Sequence, residues 1–129
     1  MDSYRATRQI GSDVPTDSLL SHTFIYTTNI DGSINHTYTW GNKYDSNGNG
    51  LWTIDSPLDI TTAKLIYPFT TQRGNYIGNA NLDLIIDTLV RIWQQTPNSS
   101  IHNHGGIYNN CKTEASRLTR EAQKILDSL

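Results

Sequence analysis

The sequence has one cysteine, no excess of positive charge and no long apolar run, and several classes of protein require these features. It contains one cysteine in 129 residues, so it cannot form an internal disulfide, and a structural zinc cluster would need more ligands. Positive charge is not in excess either, because the net charge is -2. Such a balance gives no basic field to attract nucleic acid. We therefore expect no nucleic-acid partner, and either a reducing compartment or a thiol kept for chemistry.

Long apolar runs are also lacking. No segment reaches the roughly 20 apolar residues of a membrane-spanning helix. Residues 1–13 contain no apolar stretch of the kind found in secretory signal peptides. We expect a soluble protein without a stable membrane anchor, cytoplasmic in the producing cell. Export would need a non-classical route, such as effector delivery by type VI secretion.

Two segments show the period-two pattern of β-strands. In residues 19–28 the even positions, His22 among them, share one face. Asp31-Gly32 then marks a hairpin turn. In residues 34–40 His36 shares a face with Tyr38 and Trp40. The pattern therefore predicts a hairpin with one histidine on the apolar face of each strand.

Three helices follow from capping residues and apolar spacing. Ser56 and Pro57 begin the first, which ends before Pro68, and an apolar stripe marks the second over residues 81–95. The third runs from Cys111 to about residue 126. A short strand is predicted over 51–54, loops or irregular structure over 41–50 and 69–80, and a polar tail or linker over 1–18. The fold class is α+β: a single catalytic domain over 19–129, in which a small antiparallel sheet packs against helices.

Cys111 is the candidate nucleophile because it lies where the last helix begins. The first turn of a helix carries unpaired N–H groups and a partial positive charge, which favour a thiolate. The same N–H groups can stabilise an oxyanion, and Lys112 adds positive charge. We assign Asn110, Lys112 and Trp40 as candidate substrate-binding or oxyanion residues.

A purely structural interpretation of Cys111 competes with this one. Cys111 is in phase with the apolar positions of its helix, namely Ala115, Leu118, Ala122, Ile125 and Leu129. A free cysteine is often a small buried apolar residue. This alternative predicts a non-catalytic binding or immunity-type module.

A nucleophilic thiol needs a histidine base and a third group that orients the base. His22 and His36 are the first candidates, and His102 and His104 in a glycine-containing loop are the alternatives. Two histidines without a nearby carboxylate are weak evidence for zinc. The Asp45-to-Gly50 segment resembles half of a calcium loop but has Ser56 where an acidic ligand belongs. We expect no metal and no cofactor.

These residues carry a family resemblance. The run from Ser21 to Tyr26 with His22, a second histidine across a glycine turn, and a late Asn110-Cys111 opening a helix resemble the circularly permuted NlpC/P60 cysteine hydrolases, which include the lecithin:retinol acyltransferase-like proteins. The resemblance implies a papain-like arrangement with the cysteine heading the last helix. It also implies His22 as base, His36 as orienting residue and Cys111 as nucleophile.

A second resemblance bears on the substrate. The phrases HTYTWGN, from His36, and NCKTEA, from Asn110, are similar to small bacterial effector domains at the ends of Rhs-type polymorphic toxins. This implies a peptide, protein or peptidoglycan substrate and a cognate immunity protein. We expect hydrolysis of an amide bond. A lipid acyltransferase or phospholipase on the same scaffold is the alternative, although Lys112-Thr113-Glu114 replaces the Glu-His-Phe run of the acyltransferase-like family.

The role of His36 depends on the register of the hairpin. If Asp31-Gly32 centres a tight turn, His36 faces Thr27, five residues from His22 along the strand. Five residues of strand correspond to roughly 17 Å. In that register His36 cannot orient His22, unless a bulge shifts the pairing.

Overall fold

A computed structural model describes residues 1–8, 21–46, 50–95 and 110–129. Five strands and three helices are found in this part of the chain. In chain order they are β1 (Ser3–Arg8), β2 (His22–Thr28), β3 (Ile34–Tyr44), β4 (Gly50–Ile54), α1 (Pro57–Ile66), β5 (Asn75–Gly78), α2 (Leu82–Gln94) and α3 (Cys111–Ser128). The α+β prediction is confirmed.

The strands form one antiparallel sheet in the order β4-β3-β2-β1-β5. β2 lies at its centre, between β3 and β1. The β2–β3 turn closes with Asn29 and Ser33, and Gly32 within it has a φ of 87°. Only glycine adopts that conformation without strain, which explains the Asp-Gly signal at this turn.

The structure corrects three of the predicted loops and tails. Residues 3–8 of the predicted tail form β1, which is paired on both sides. β3 continues past Trp40 to Tyr44, because a bulge between Trp40 and Lys43 restores its pairing with β4. Residues 75–78, predicted irregular, form β5. In each case pairing with a neighbouring strand, which a local pattern does not reveal, decides the structure. His102, His104 and Asn109 lie outside the described residues.

The sheet buries side chains on both faces. On one face a larger cluster joins Ile25, Tyr38 and Trp40 to α2 and α3. On the other a smaller cluster joins Phe24 and Tyr26 to Ala63 of α1. Because side chains alternate along β2, His22 lies on the same face as Phe24 and Tyr26, toward α1.

Candidate functional site

Cys111 is the first residue of α3, directly after a well-formed cap. The Asn110 side chain accepts hydrogen bonds from the backbone N–H groups of Lys112 (2.9 Å) and Thr113 (3.0 Å), and the Thr113 hydroxyl accepts one from the Asn110 N–H (2.8 Å). This is a reciprocal capping box, which fixes the start of the helix. The predicted helix start is therefore correct.

The first turn of α3 docks on the start of β2. The Thr23 backbone N–H donates to Cys111 Sγ over 3.4 Å. The Lys112 ammonium donates to the hydroxyls of Ser21 (3.2 Å) and Thr23 (3.3 Å). Cys111 remains partly exposed. The strand therefore fixes the position of the sulfur without burying it completely in the core.

His22 is the histidine at the thiol. Its interaction with Cys111 raises the pKa of the imidazole, and 6% of the residue is exposed. The thiol itself points to the carbonyl oxygen of Ser21 at 3.9 Å. The Nε2 of His22 lies 2.5 Å from the Thr39 hydroxyl and 3.6 Å from Asp59 Oδ1. The imidazole thus lies between a thiol and a carboxylate, and thiol catalysis uses groups of these three kinds.

Asp59 is the residue that the sequence analysis missed as a partner of His22. It lies in the first turn of α1, is fully buried, and accepts a hydrogen bond from Arg8 Nε at 2.9 Å. Its Oδ2 has no hydrogen-bond partner among the described residues. One signal was visible in the sequence, because Asp59 has the helical spacing of Ala63 and Ile66 and so shares their inward face.

The electrostatics of the pair favour the charged form of both partners. Burial alone would raise the pKa of the Cys111 thiol, but hydrogen bonds from His22 and Thr23, with the charges of His22 and Lys112, hold it below its ordinary value. Burial likewise opposes protonation of His22, yet its bonds to Asp59 and Cys111 raise the pKa of the imidazole. The geometry therefore stabilises a thiolate beside an imidazolium.

His36 is not brought to this site. It pairs with Thr27, as a tight turn requires, and Thr27 lies on the opposite face of β2 from His22. Its Nδ1 bonds Asp55 Oδ2 at 2.9 Å instead. The predictions that the two histidines share one face and that His36 orients His22 are wrong, because the register at the turn separates them.

The other predicted site residues have mixed outcomes. Lys112 is beside the thiol, whereas the Asn110 side chain is occupied by capping. Trp40 is 2% exposed, in the larger core cluster, so it is not positioned to contact a substrate. The backbone N–H groups of Lys112, Thr113 and Glu114 all bond to Asn110. The N–H of Cys111 is the first-turn N–H group that Asn110 does not occupy, and so it is the candidate donor for an oxyanion.

Within the described residues, no group of three or more His, Cys, Asp or Glu is arranged to hold a metal ion, and no helix has the length and apolarity to cross a membrane. Comparison with protein-family models, with curated proteins and with solved structures gave no match.

Proposed function

We propose that the protein is a cysteine hydrolase in which Cys111 is the nucleophile and His22 the base. The observation that carries this proposal is the position of the partly exposed Cys111 thiol, fixed by the Thr23 N–H at the start of β2, next to a buried His22 whose Nε2 lies 3.6 Å from the buried Asp59 carboxylate. A cysteine that is only a core residue has no need of a buried histidine and carboxylate beside it. Reactive cysteines lie in such electropositive, partly exposed surroundings.

Asp59 takes the orienting role that the resemblance assigns to His36. Because Nε2 of His22 faces Asp59 and Thr39, we assign the ring proton to Nε2 and leave Nδ1 for the thiol. Arg8 Nε binds the same Oδ1 oxygen of Asp59 that faces His22. Asp59 therefore keeps the imidazole in one tautomer and stabilises it when it becomes charged.

The reaction proceeds through an acyl-enzyme. His22 takes the proton of the Cys111 thiol, and the sulfur attacks the substrate carbonyl carbon. The Cys111 N–H and the Lys112 ammonium stabilise the resulting oxyanion. When the carbon–nitrogen bond breaks, the imidazolium gives its proton to the leaving amine. Water, deprotonated by His22, then attacks the thioester; the acid leaves and Cys111 regains its proton from His22.

The bond that we favour is an amide in a peptide, protein or peptidoglycan. This choice rests on the resemblance of HTYTWGN and NCKTEA to Rhs-type effector domains. It makes the protein a delivered antibacterial effector, whose producer would need an immunity protein against it. The papain-like, permuted NlpC/P60 arrangement belongs to the same proposal, and the position of the cysteine at the start of the last helix, over the strand with the histidine, is consistent with it.

The first experiment tests the thiol itself. The rate of alkylation of Cys111 by iodoacetamide at pH 6 is measured in the native protein and in excess denaturant, where the thiol has its ordinary pKa. We expect faster alkylation in the folded state, because the folded thiol is more ionised. A folded-state rate at or below that of the unfolded chain would refute the proposal and support a non-catalytic module.

The second experiment tests hydrolysis. The wild type and Cys111→Ala are expressed in the cytoplasm and, separately, in the periplasm of a bacterial host, and growth and peptidoglycan fragments are followed. Toxicity that disappears with Cys111→Ala supports an effector hydrolase. Equal toxicity of the two proteins, with Cys111→Ala correctly folded by circular dichroism, would contradict it.

A further inference from the structure

A groove runs along α3 on the side away from α2. It encloses about 490 Å³, with Arg5 of β1 and Ile77 of β5 at its floor and α3 as its wall. A cavity of this size is in the range that holds a ligand of several residues or a cofactor. The groove lies beside β1 because β1 contributes no residue to the larger core cluster. The buried sheet residues of that cluster come from β2, β3 and β4.

The wall of the groove is one face of the helix. Its residues run from Ser116 to Asp127 with helical spacing. Eleven residues of α-helix rise about 16 Å. An extended peptide covers that length with about five residues. The shape therefore fits a short length of extended chain better than a compact ion.

The groove is positively charged in a protein of net charge -2. Among the described residues, Arg5, Arg120 and Lys124 line it together with the carboxylate of Asp127, and Lys124 also pairs with Glu121 at 3.6 Å. The Nε of Arg5 is buried and has no hydrogen-bond partner within the described ranges. Arg120 and Lys124 lie four residues apart on the helix, so their charges are neighbours on one face. A buried guanidinium donor without a partner favours an acceptor supplied by a ligand.

We propose that this groove binds an acidic peptide segment in an extended conformation. Carboxylates of the peptide would pair with Arg120 and Lys124, and one carboxylate or carbonyl would accept the hydrogen bond from Arg5. None of the described residues that line the groove is an aromatic on which a nucleic-acid base would stack, which disfavours a single-stranded nucleic acid.

Binding in the groove does not depend on the proposed hydrolase activity. The nearest lining residue on the helix, Ser116, is five residues after Cys111, and none of the residues assigned to catalysis lines the groove. The binding experiment therefore uses Cys111→Ala as its reference protein. If that protein binds the peptide while the wild type hydrolyses nothing, the proposed function fails and the groove proposal stands.

The test measures fluorescence anisotropy of a labelled hexaglutamate peptide, with hexaglutamine as the neutral probe. Arg120→Gln with Lys124→Gln is compared with Lys43→Gln plus Lys64→Gln, which removes the same two charges elsewhere on the surface. We expect the groove pair to weaken binding about tenfold, since each exposed ion pair contributes little alone. The control pair should change affinity by less than about twofold, as expected for long-range charge screened by salt.

Further measurements decide whether the groove binds an acidic peptide. Binding of hexaglutamate that weakens with salt and with Arg5→Gln supports the proposal. No binding, or equal loss in the groove pair and the control pair, overturns it. Tighter binding of an oligothymidylate of the same length would also overturn it and indicate a nucleic-acid surface instead. Thermal unfolding of each variant excludes loss of fold as the cause.

Discussion

The described part of the chain contains two histidine–aspartate pairs whose histidines lie on neighbouring strands, and the two pairs differ in burial and in contacts. The side chains of His22 and Asp59 are 8% and 0% exposed, and those of His36 and Asp55 are 32% and 42% exposed. The buried pair contacts Cys111, and the exposed pair ties its histidine to the end of β4. A histidine beside a carboxylate is therefore not a sufficient sign of catalysis.

The difference originates in the register of one hairpin. Thr27 faces His36, so the two histidines point to opposite faces of the sheet and are separated along β2. The face toward α1 brings the buried carboxylate of Asp59 to the imidazole of His22, and the start of β2 meets the first turn of α3. Position in the fold, rather than residue type, distinguishes the two pairs.

The largest expected effect comes from removing each histidine in turn. His22→Gln should slow alkylation of Cys111 at pH 6 by at least about tenfold, because the thiolate loses its hydrogen-bonded cation. Hydrolysis, once a substrate is found, should fall by about 10² or more, the usual contribution of a general base. His36→Gln should leave both rates within about twofold, since ordinary surface changes have small effects. Equal effects of the two changes would show that the buried pair has no special role.

The two aspartates give the next contrast. Asp59→Asn should reduce the alkylation rate at pH 6 and destabilise the protein by about 2 kcal/mol, because Arg8 loses its charged partner beside a buried site. Asp55→Asn should affect only stability. Iodoacetamide kinetics and urea unfolding measure the two quantities. A normal alkylation rate in folded Asp59→Asn would remove Asp59 from the proposed site.

The pH dependence of the buried pair is the third test. The raised pKa of His22 means that its imidazolium persists as pH rises above the ordinary histidine value of about 6.5. The lowered pKa of Cys111 means that its thiolate persists as pH falls below the ordinary thiol value of about 8.5. We therefore expect the thiolate and the imidazolium to stabilise each other, so that each charge persists over a wider pH range than in the isolated group. NMR titration of His22 in wild type and Cys111→Ala checks it: loss of the thiolate should move the His22 pKa down, and no movement would argue against the ion pair.

The smallest contrast lies in two threonines of β3. Thr39 contacts Nε2 of His22, whereas the Thr37 hydroxyl is buried with no hydrogen-bond partner in the described part of the chain. Thr39→Val should cost about 1 kcal/mol of unfolding free energy and lower the alkylation rate a few-fold. Thr37→Val should be neutral or slightly stabilising, since it removes an unsatisfied group. The opposite order in chemical denaturation would contradict the assigned contacts.

The sequence was informative where local chemistry determines structure. Alternation in β2 and β3, the Asp-Gly turn, Pro57 at the start of α1 and the Asn110 cap all predicted elements close to their observed bounds. The start of α3 at Cys111 followed from the same signals, whereas the pairing of Cys111 with His22 was implied by the family resemblance. These elements depend on interactions within a few residues.

The parts that were missed depend on residues far apart in the chain. β1 pairs with β2 and β5, and nothing in its own six residues indicates two neighbours. Asp59 meets His22 only because α1 packs on one face of the sheet, and His36 fails because of a register fixed by the turn. Local patterns in a single sequence do not reveal contacts between residues that are far apart in the chain.

The hydrogen bond from Thr23 to Cys111 joins residues that are 88 positions apart. Forming it closes a long loop, which is an entropically slow step in folding. The thiol should therefore acquire its fast alkylation rate late in refolding, after the fluorescence change that reports burial of the tryptophans. Cys111 is the only cysteine in the sequence. Pulse alkylation during refolding therefore measures when α3 docks on the sheet, and it requires no substitution in the chain.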